Sequence, residues 1–464
     1  TNIINYFLFY VFIGEKEHMI HYTQNCDINI SRQVQNISKG REDFWSFKGN
    51  AQRDYGHGLL QYPAMMVPQL VRAILKVCCN VHPEIDSVGD PFVGSGTVLT
   101  ETMLKGLRFW GTDINPLSIL SSMVKKGPFF SNELQDKSNR LVEIINRDSA
   151  EDVEISFKGI NKWFEPTHQI ALSKIKRSIL KEEELWARRF FWLTLAETVR
   201  YTSNSRTSTY KLHIRTPEEI KNRAVNATNL FKRYLDRNIS LISSLENSLN
   251  SSMLLENGKY KKEISLHVSD IREYKNDCKS DIIITSPPYG DNQTTVPYGQ
   301  YSYLPLQWID LGDIDDSLTR DFLNTTHNID TVSLGGHRIK FDNLDFLRAR
   351  SSSLSRYLEE IEGMPADCTA RVSSFFYDFD NSIPLILSHL NQNGLLVFVL
   401  GNRKVGGKRV PFDKILVELM DSYGVKLIHK LQRDIPSKRM ASKNRFAETM
   451  SKESIIFLRK SEQI

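Results

Sequence analysis

The sequence predicts an α/β protein: a doubly wound, mostly parallel sheet carrying one helical insert. Three observations carry this. The apolar run Ile85–Val88 leads into Asp90 and a Gly-x-Gly turn, and helical spacing continues at Val98, Leu99, Thr102 and Met103. A second run, Phe109–Thr112, ends in an acid, Asp113. A third run, Asp281–Ile284, comes only after about 150 residues rich in Leu, Ile, Lys and Glu that read as helices.

In chain order, Ile3–Ile13 is apolar but too short to span a bilayer, and it lacks the basic start and cleavage site of a signal peptide. Met19 is a candidate natural start. Residues 1–43 read as an N-terminal arm, and Glu42–Lys48 as an aromatic lead-in that packs on the sheet. Tyr62-Pro63 opens a helix whose Val67, Leu70, Val71, Ile74 and Leu75 share one face. Residues 131–260 form the helical insert, with Leu180–Val199 its clearest helix. The loop Tyr201–Lys211 mixes polar, basic and aromatic side chains. It suits phosphate and base-edge contacts through Arg206 and Lys211, and equally an ordinary interhelical loop. A further strand ends at Val268-Ser269-Asp270.

Beyond it, Tyr298, Tyr301, Tyr303 and Trp308 are candidates either for a base pocket or for packing. Leu334–Arg338 reads as a mobile loop that closes on a polyanion through Arg338. Leu395–Leu400 is a fifth strand, and Arg403 comes just after its end, where open α/β sheets bind ligands. Pro411–Tyr423 is a helix. Val425–Leu431 and Ser454–Arg459 read as a closing strand pair around a basic loop containing Lys438 and Arg439.

Two stretches concentrate the chemistry. In Asp90-Pro91-Phe92-Val93-Gly94-Ser95-Gly96-Thr97 the glycines permit positive φ and close backbone approach, and the helix start offers free N–H groups. A phosphate loop needs Lys after the last glycine, where Thr97 stands, and a dinucleotide site needs a third glycine, where Leu99 stands. Asp113 is placed for ribose hydroxyls. In Thr285-Ser286-Pro287-Pro288-Tyr289 two prolines fix φ and remove two donors, so a stiff loop presents carbonyls to an exocyclic amine beside a flat ring. Alone, that loop is also an ordinary turn after a core strand.

Together the two stretches resemble the amino-methyltransferases that use S-adenosylmethionine. Asp90–Thr97 resembles their cofactor motif, and Ser286-Pro287-Pro288-Tyr289 resembles their catalytic motif in its cytosine-N4 DNA form; adenine-N6 enzymes more often begin it with Asp or Asn. Tyr55–Gly58 and Tyr62–Pro68 resemble the segment beside the methionine end of the cofactor, and Asp270 the acid that contacts adenine. The resemblance covers residues 44–130 and roughly 260–464. It implies a Rossmann-like methyltransferase sheet, mostly parallel with an antiparallel closing strand, over 44–130 and 261–464. The insert 131–260 is then a candidate DNA-recognition region.

The resemblance also implies roles. Tyr62, Asp90, Phe92, Gly94, Gly96, Thr97, Asp113 and Asp270 would bind the cofactor. Ser286 and the Pro287 carbonyl would orient the amine, with Pro288 and Tyr289 completing the clamp and Tyr289 stacking on a flipped base. Double-stranded DNA would be the partner, with a restriction endonuclease acting separately, and no metal is required. Adenine-N6 DNA methylation and tRNA guanine-N2 methylation stay open. So does a dead methyltransferase fold serving as a binding module, although both motifs are intact.

Composition agrees with a DNA ligand without demanding one. Net charge is +5, yet Arg403–Arg445 holds twelve Lys/Arg against four Asp/Glu. The five cysteines are scattered without metal-ligand spacing, which argues against a disulfide framework or zinc and for a reducing cytoplasm. No Pro-Cys dipeptide occurs, which disfavours cytosine-C5 chemistry.

Overall fold

A computed structural model describes residues 24–41, 43–49, 54–338, 344–435 and 450–461. Seven strands form the sheet: β1 Ser87–Asp90, β2 Arg108–Asp113, β3 Ile264–Val268, β4 Ser280–Thr285, β5 Leu390–Gly401, β6 Val425–Asp434 and β7 Lys452–Lys460. Their spatial order is β6-β7-β5-β4-β1-β2-β3. Strand β7 runs antiparallel to both neighbours; the pairs β5–β4, β4–β1, β1–β2 and β2–β3 are parallel.

The two-residue period of a strand divides the core. Ile282, Ile284, Leu395, Val397 and Val399 face one apolar cluster, and Ile283, Leu396, Phe398 and Leu400 face the other. Both faces are covered, as a parallel sheet requires. Helix α1 (Pro68–Val81) starts with Pro at its first turn and not at Tyr62-Pro63 as the sequence suggested: Val67 is extended and caps it from outside. Helix α2 (Thr97–Lys105) lies between Gly96 and Gly106, both left-handed. Helix α3 (Pro116–Lys126) is capped by the Asn115 side chain, which accepts from the Leu117 N–H.

The insert supplies α4 (Ser131–Arg147), α5 (Pro166–Leu180), α6 (Leu185–Thr202) and α7 (Ala227–Ser251). Its buried residues are continuous with the first cluster, so the insert packs directly on one face of the sheet. Two expectations need correction. Leu180 ends α5, and α6 starts at Leu185. The Arg188 guanidinium donates to the Glu182 and Glu183 carbonyls and pins the turn between them. The insert is also not wholly helical. It ends in a hairpin, Leu255–Glu256 against Lys259–Tyr260, turned by Asn257-Gly258, both at positive φ.

Further on lie α8 (Tyr298–Trp308), α9 (Ala366–Ser388) and α10 (Phe412–Ser422). Of the N-terminal arm, residues 24–37 are helical and lie against the closing hairpin: Ser31 Oγ meets His429 at 2.8 Å, and Arg459 Nε donates to Asp27 at 2.6 Å. Trp45 of the lead-in is buried. Met19 and the apolar run before it lie outside the described residues.

One glycine of β2 gives the Gly-x-Gly turn room to pack. A Cβ on Gly111 would fall 2.3 Å from Val93 Cγ2 and 2.8 Å from the Phe109 ring. Val93 directly precedes Gly94. Gly111→Ala is therefore expected to lose about 1–3 kcal/mol by overpacking. It is also expected to weaken ligand binding in the glycine loop; urea unfolding and calorimetric titration measure the two.

Candidate active site

The ends of β1 and β4 meet because the strands pair in parallel, Val88 with Ile282 and Gly89 with Ile283. Asp90 and Thr285 end these strands, and the Thr285 hydroxyl donates to Asp90 Oδ1 at 2.6 Å. The Phe92 N–H donates to the same oxygen at 3.0 Å. Asp90 is fully buried, and its Oδ2 has no hydrogen-bond partner. Burial pushes its carboxyl up to about 7, against the opposing Thr285 and Phe92 bonds.

Asp113 fastens the glycine loop. Its carboxylate accepts from the Gly94 N–H at 2.8 Å, the Asn115 N–H at 2.9 Å and the Ser118 hydroxyl at 2.9 Å. Burial nevertheless raises its carboxyl above the usual range. Of about four lone-pair positions on a carboxylate, three are taken, which leaves one for a ligand. Lys125 Nζ holds the Ser95 carbonyl at 2.6 Å from below. Gly96 packs so close to α3 that a Cβ would sit 2.7 Å from Ser122 Oγ.

Above this floor opens a cleft of about 850 Å³ including its mouth. Phe92, Ile271 and Leu334 give it apolar walls, and Asp113 and Asp270 give it acids. Tyr62 and Tyr298 stack at 5.5 Å in the lining, and Asn115 Nδ2 donates to the Tyr62 hydroxyl at 2.9 Å. Asp270 already takes a two-pronged contact from Arg272, at 3.0 and 3.1 Å from Nε and 2.6 Å from Nη2. Gly94 and Thr97 line the cleft, whereas Asp90 and Gly96 lie behind its surface.

Ser286 and Pro288 line the other end of the cleft, together with Asn292; Pro287 and Tyr289 do not. The Tyr289 ring packs against the second apolar cluster. Its hydroxyl lies 3.2 Å from Ser286 Oγ and donates to Glu453 Oε1 of β7 at 3.2 Å. Burial pushes the Tyr289 phenol well up and raises Glu453 as well. Sequence reasoning missed Asn292, a buried side chain whose Oδ1 has no partner. An unpaired amide in a ligand cleft is a marker for recognition, but nothing in the sequence distinguishes it from an ordinary turn residue.

Asp291 was also missed. It is fully buried and accepts from Arg403 Nη1 and from Arg338 Nη2, each at 3.0 Å, and from the Thr294 hydroxyl at 2.7 Å. Burial would raise its carboxyl, but Arg403, Thr294 and Arg338 hold it below the usual range. Arg338 and Arg403, read from the sequence as DNA contacts, are thus counter-charges to one internal carboxylate. The loop Leu334–Arg338 is fastened rather than free: Leu334 is buried, and the Gly335 N–H donates to Asp378 at 2.7 Å.

Arg206 is exposed and pairs with Glu219 at 3.1 Å, and Lys211 is exposed. Ser203, Asn204 and Ser205 of the same loop are buried structural residues. Lys438 and Arg439 lie outside the described residues. Tyr301, Tyr303 and Trp308 are buried in the first cluster, while Tyr298 reaches the cleft. Among the described residues no cluster of His, Cys, Asp or Glu could hold a metal, and no helix is long and apolar enough to cross a membrane. The five cysteines are free.

A DNA methylase family profile for N6 and N4 enzymes matches residues 8–122, a span that includes the glycine loop. The Type II methyltransferase M.MvaI of Kocuria varians is 32% identical over 470 residues, covering 95% of this chain and 99% of that protein. The Type II methyltransferase M.MjaII of Methanocaldococcus jannaschii is 35% identical over 91 residues, 20% of this chain and 16% of that one. Among solved structures, the rRNA methyltransferase aviRa from Streptomyces viridochromogenes aligns over 86% of this chain and 87% of that chain, with 10% identity and a TM-score of 0.29.

Proposed function

The chain belongs to the N6/N4 family of DNA methyltransferases, and we propose that within it this enzyme methylates the exocyclic N4 amine of a flipped cytosine in a type II restriction–modification setting. The observation that carries the reading is the Thr285–Asp90 hydrogen bond. It joins the amine clamp and the glycine loop at one cleft, so a bound methyl donor and a target amine share a wall.

The cleft fits S-adenosylmethionine, which when bound supplies an already activated methyl group. The backbone of Gly94 holds the end that carries the charged amino acid, and Asp90, buried behind the cleft surface with one oxygen lacking a partner, braces the loop from beneath. Asp113 keeps one acceptor position for a ribose hydroxyl. Phe92, Ile271 and Leu334 offer apolar faces to a purine, and Asp270, set by Arg272, its edge. Gly96 and Thr97 form the helix start beneath, and Tyr62 bounds the methionine side.

At the other end, Ser286 Oγ accepts an amine hydrogen, aligns the nitrogen lone pair and shares the positive charge that develops on it; the Pro287 carbonyl, which lies outside the cleft lining, would take the second hydrogen only once the loop turns it toward the amine. Pro288 keeps the loop stiff. Extruding the base costs a few kcal/mol of stacking, recovered by contacts in the cleft. Ser286 is the support for cytosine over adenine. The insert 131–260, with Arg206 and Lys211, and the basic loop with Lys438 and Arg439 are the surfaces assigned to double-stranded DNA. A separate endonuclease reading the same site would act beside it, in the cytoplasm where the DNA lies.

Mass spectrometry of nucleosides from duplex genomic DNA, incubated with protein and S-adenosylmethionine, tests this. N4-methylcytosine is expected, falling roughly a hundredfold in rate with Ser286→Ala, as for loss of one preorganised hydrogen-bonding group. N6-methyladenine would overturn the base assignment, and unmodified DNA would overturn the reading.

A further inference from the structure

We propose that Glu453 takes up the proton released by the target amine, relayed through Ser286 and Tyr289. The inference rests on the amine-methylation reading above and adds a positioning residue to it, carried by the closing hairpin.

The geometry is a chain of two hydrogen bonds leading away from the cleft. Ser286 lines the cleft. Its Oγ lies 3.2 Å from the Tyr289 hydroxyl, which in turn donates to Glu453 Oε1 at 3.2 Å. Glu453 pairs with Gly401 across β7 and β5. A Cβ on Gly401 would collide first with the Met450 side chain and would also fall 3.1 Å from the Tyr289 ring, so the glycine leaves room for both side chains beside β7. Among the described residues, two charged or titratable groups face Glu453: Tyr289 from the clamp and Arg433 from β6, whose Nε is 3.5 Å from Oε2. Arg403, just beyond Gly401, is held by Asp291. The Glu453 side chain is 18% exposed, which gives a proton a way out to water.

A relay answers a chemical need. Methyl transfer leaves the amine nitrogen with a new N–C bond and one proton too many, while the donor departs as a neutral thioether. The amine N–H then gives its proton to Ser286 Oγ, the Ser286 proton passes to the Tyr289 oxygen, and the Tyr289 proton passes to Glu453. Serine and tyrosine end as they began, and Glu453 ends neutral and returns its proton to solvent. Tyr289 donates to Glu453, the direction the relay needs, and its oxygen is then open to accept from Ser286 Oγ.

Two variants test this: Glu453→Gln, and Tyr289→Phe, which keeps the ring and leaves the Glu453–Arg433 pair intact should the first variant fold poorly. Single-turnover methylation of unmethylated genomic DNA is followed from acid to alkaline pH. Wild-type rate is expected to fall as pH drops through the raised Glu453 value. Both variants are expected to lose at least tenfold at neutral pH, and the acid limb with it. A limb that persists in both variants belongs to Asp90 or Asp113 and overturns the relay, as does a Tyr289→Phe enzyme with wild-type rate.

A second readout needs no cofactor. Infrared difference titration of the free protein, wild type against Glu453→Gln, follows the Glu453 carboxyl. Because Tyr289 donates to the carboxylate, Tyr289→Phe should move that titration to higher pH, and an unchanged midpoint would refute the contact. A wild-type protein that leaves DNA unmodified overturns the methylation reading itself, and the relay falls with it.

Discussion

Asp291→Ala is expected to cost about 3–5 kcal/mol of stability, the range for leaving a buried charge without its partner. Asp291 has no exposed surface and is shared by two guanidiniums, with the Arg403 side chain only 10% exposed and that of Arg338 25%. Urea unfolding should show the loss, and limited proteolysis should cut near residues 333–338, which the pair fastens over the cleft. Asn292 comes directly after Asp291, so activity should fall further than the stability loss accounts for at low temperature. The pH dependence has a definite sign. The folded carboxyl lies below its unfolded value, so its contribution is present above about pH 4 and disappears as pH falls through the depressed folded value. Asp291→Asn should therefore show a shallower acid limb than wild type.

Asp90→Ala is expected to abolish measurable S-adenosylmethionine binding, a loss of at least a thousandfold, and to lower stability. The Thr285 hydroxyl and the Phe92 N–H would each lose an acceptor, at about 1–3 kcal/mol apiece. The glycine loop and the clamp would then be free to separate. Asp90→Asn keeps Oδ1 in place and changes only the partnerless oxygen, so it should fold near normally and bind the cofactor about tenfold more weakly. Here the linkage runs the other way. The folded carboxyl sits near 7, well above its unfolded value, so wild type loses stability as pH rises from about 4 through about 7. Asp90→Asn should lack that decline. Calorimetric titration and thermal unfolding across pH decide both points.

These two aspartates show what a sequence discloses. Asp90 announces itself because its chemistry is local: proline, glycines and a helix start come within a few residues of it. The strands leading to Asp90, Asp113 and Ser286 are equally plain, since their apolar runs are short and bounded. Asp291 is silent because its partners lie 47 and 112 residues away, and Glu453 lies 164 residues from Tyr289. The pairing of Arg338 and Arg403 with Asp291 was hidden for the same reason, because charge in a sequence does not tell a solvated cation from one held by an internal carboxylate. The Asn257-Gly258 turn was legible as a hairpin signal but lay inside a stretch dominated by helical spacing. Tyr298 could not be told from Tyr301 and Tyr303, because helix α8 turns one of them to the cleft and the others to the core.

Strands β1 and β4 lie side by side, yet Asp90 and Thr285 are 195 residues apart in the chain. During synthesis the ribosome makes that stretch in roughly 10–40 s, at about 5–20 residues per second. For all of that time β1 has β2 on one side and an open, apolar edge on the other. Such an edge invites pairing with other chains. The closure entropy of so long a loop is modest, about 0.6 kcal/mol for each doubling of length. The burden therefore falls on kinetics, and the insert helices, made in the interval, are what can shelter the half-built sheet until its centre arrives.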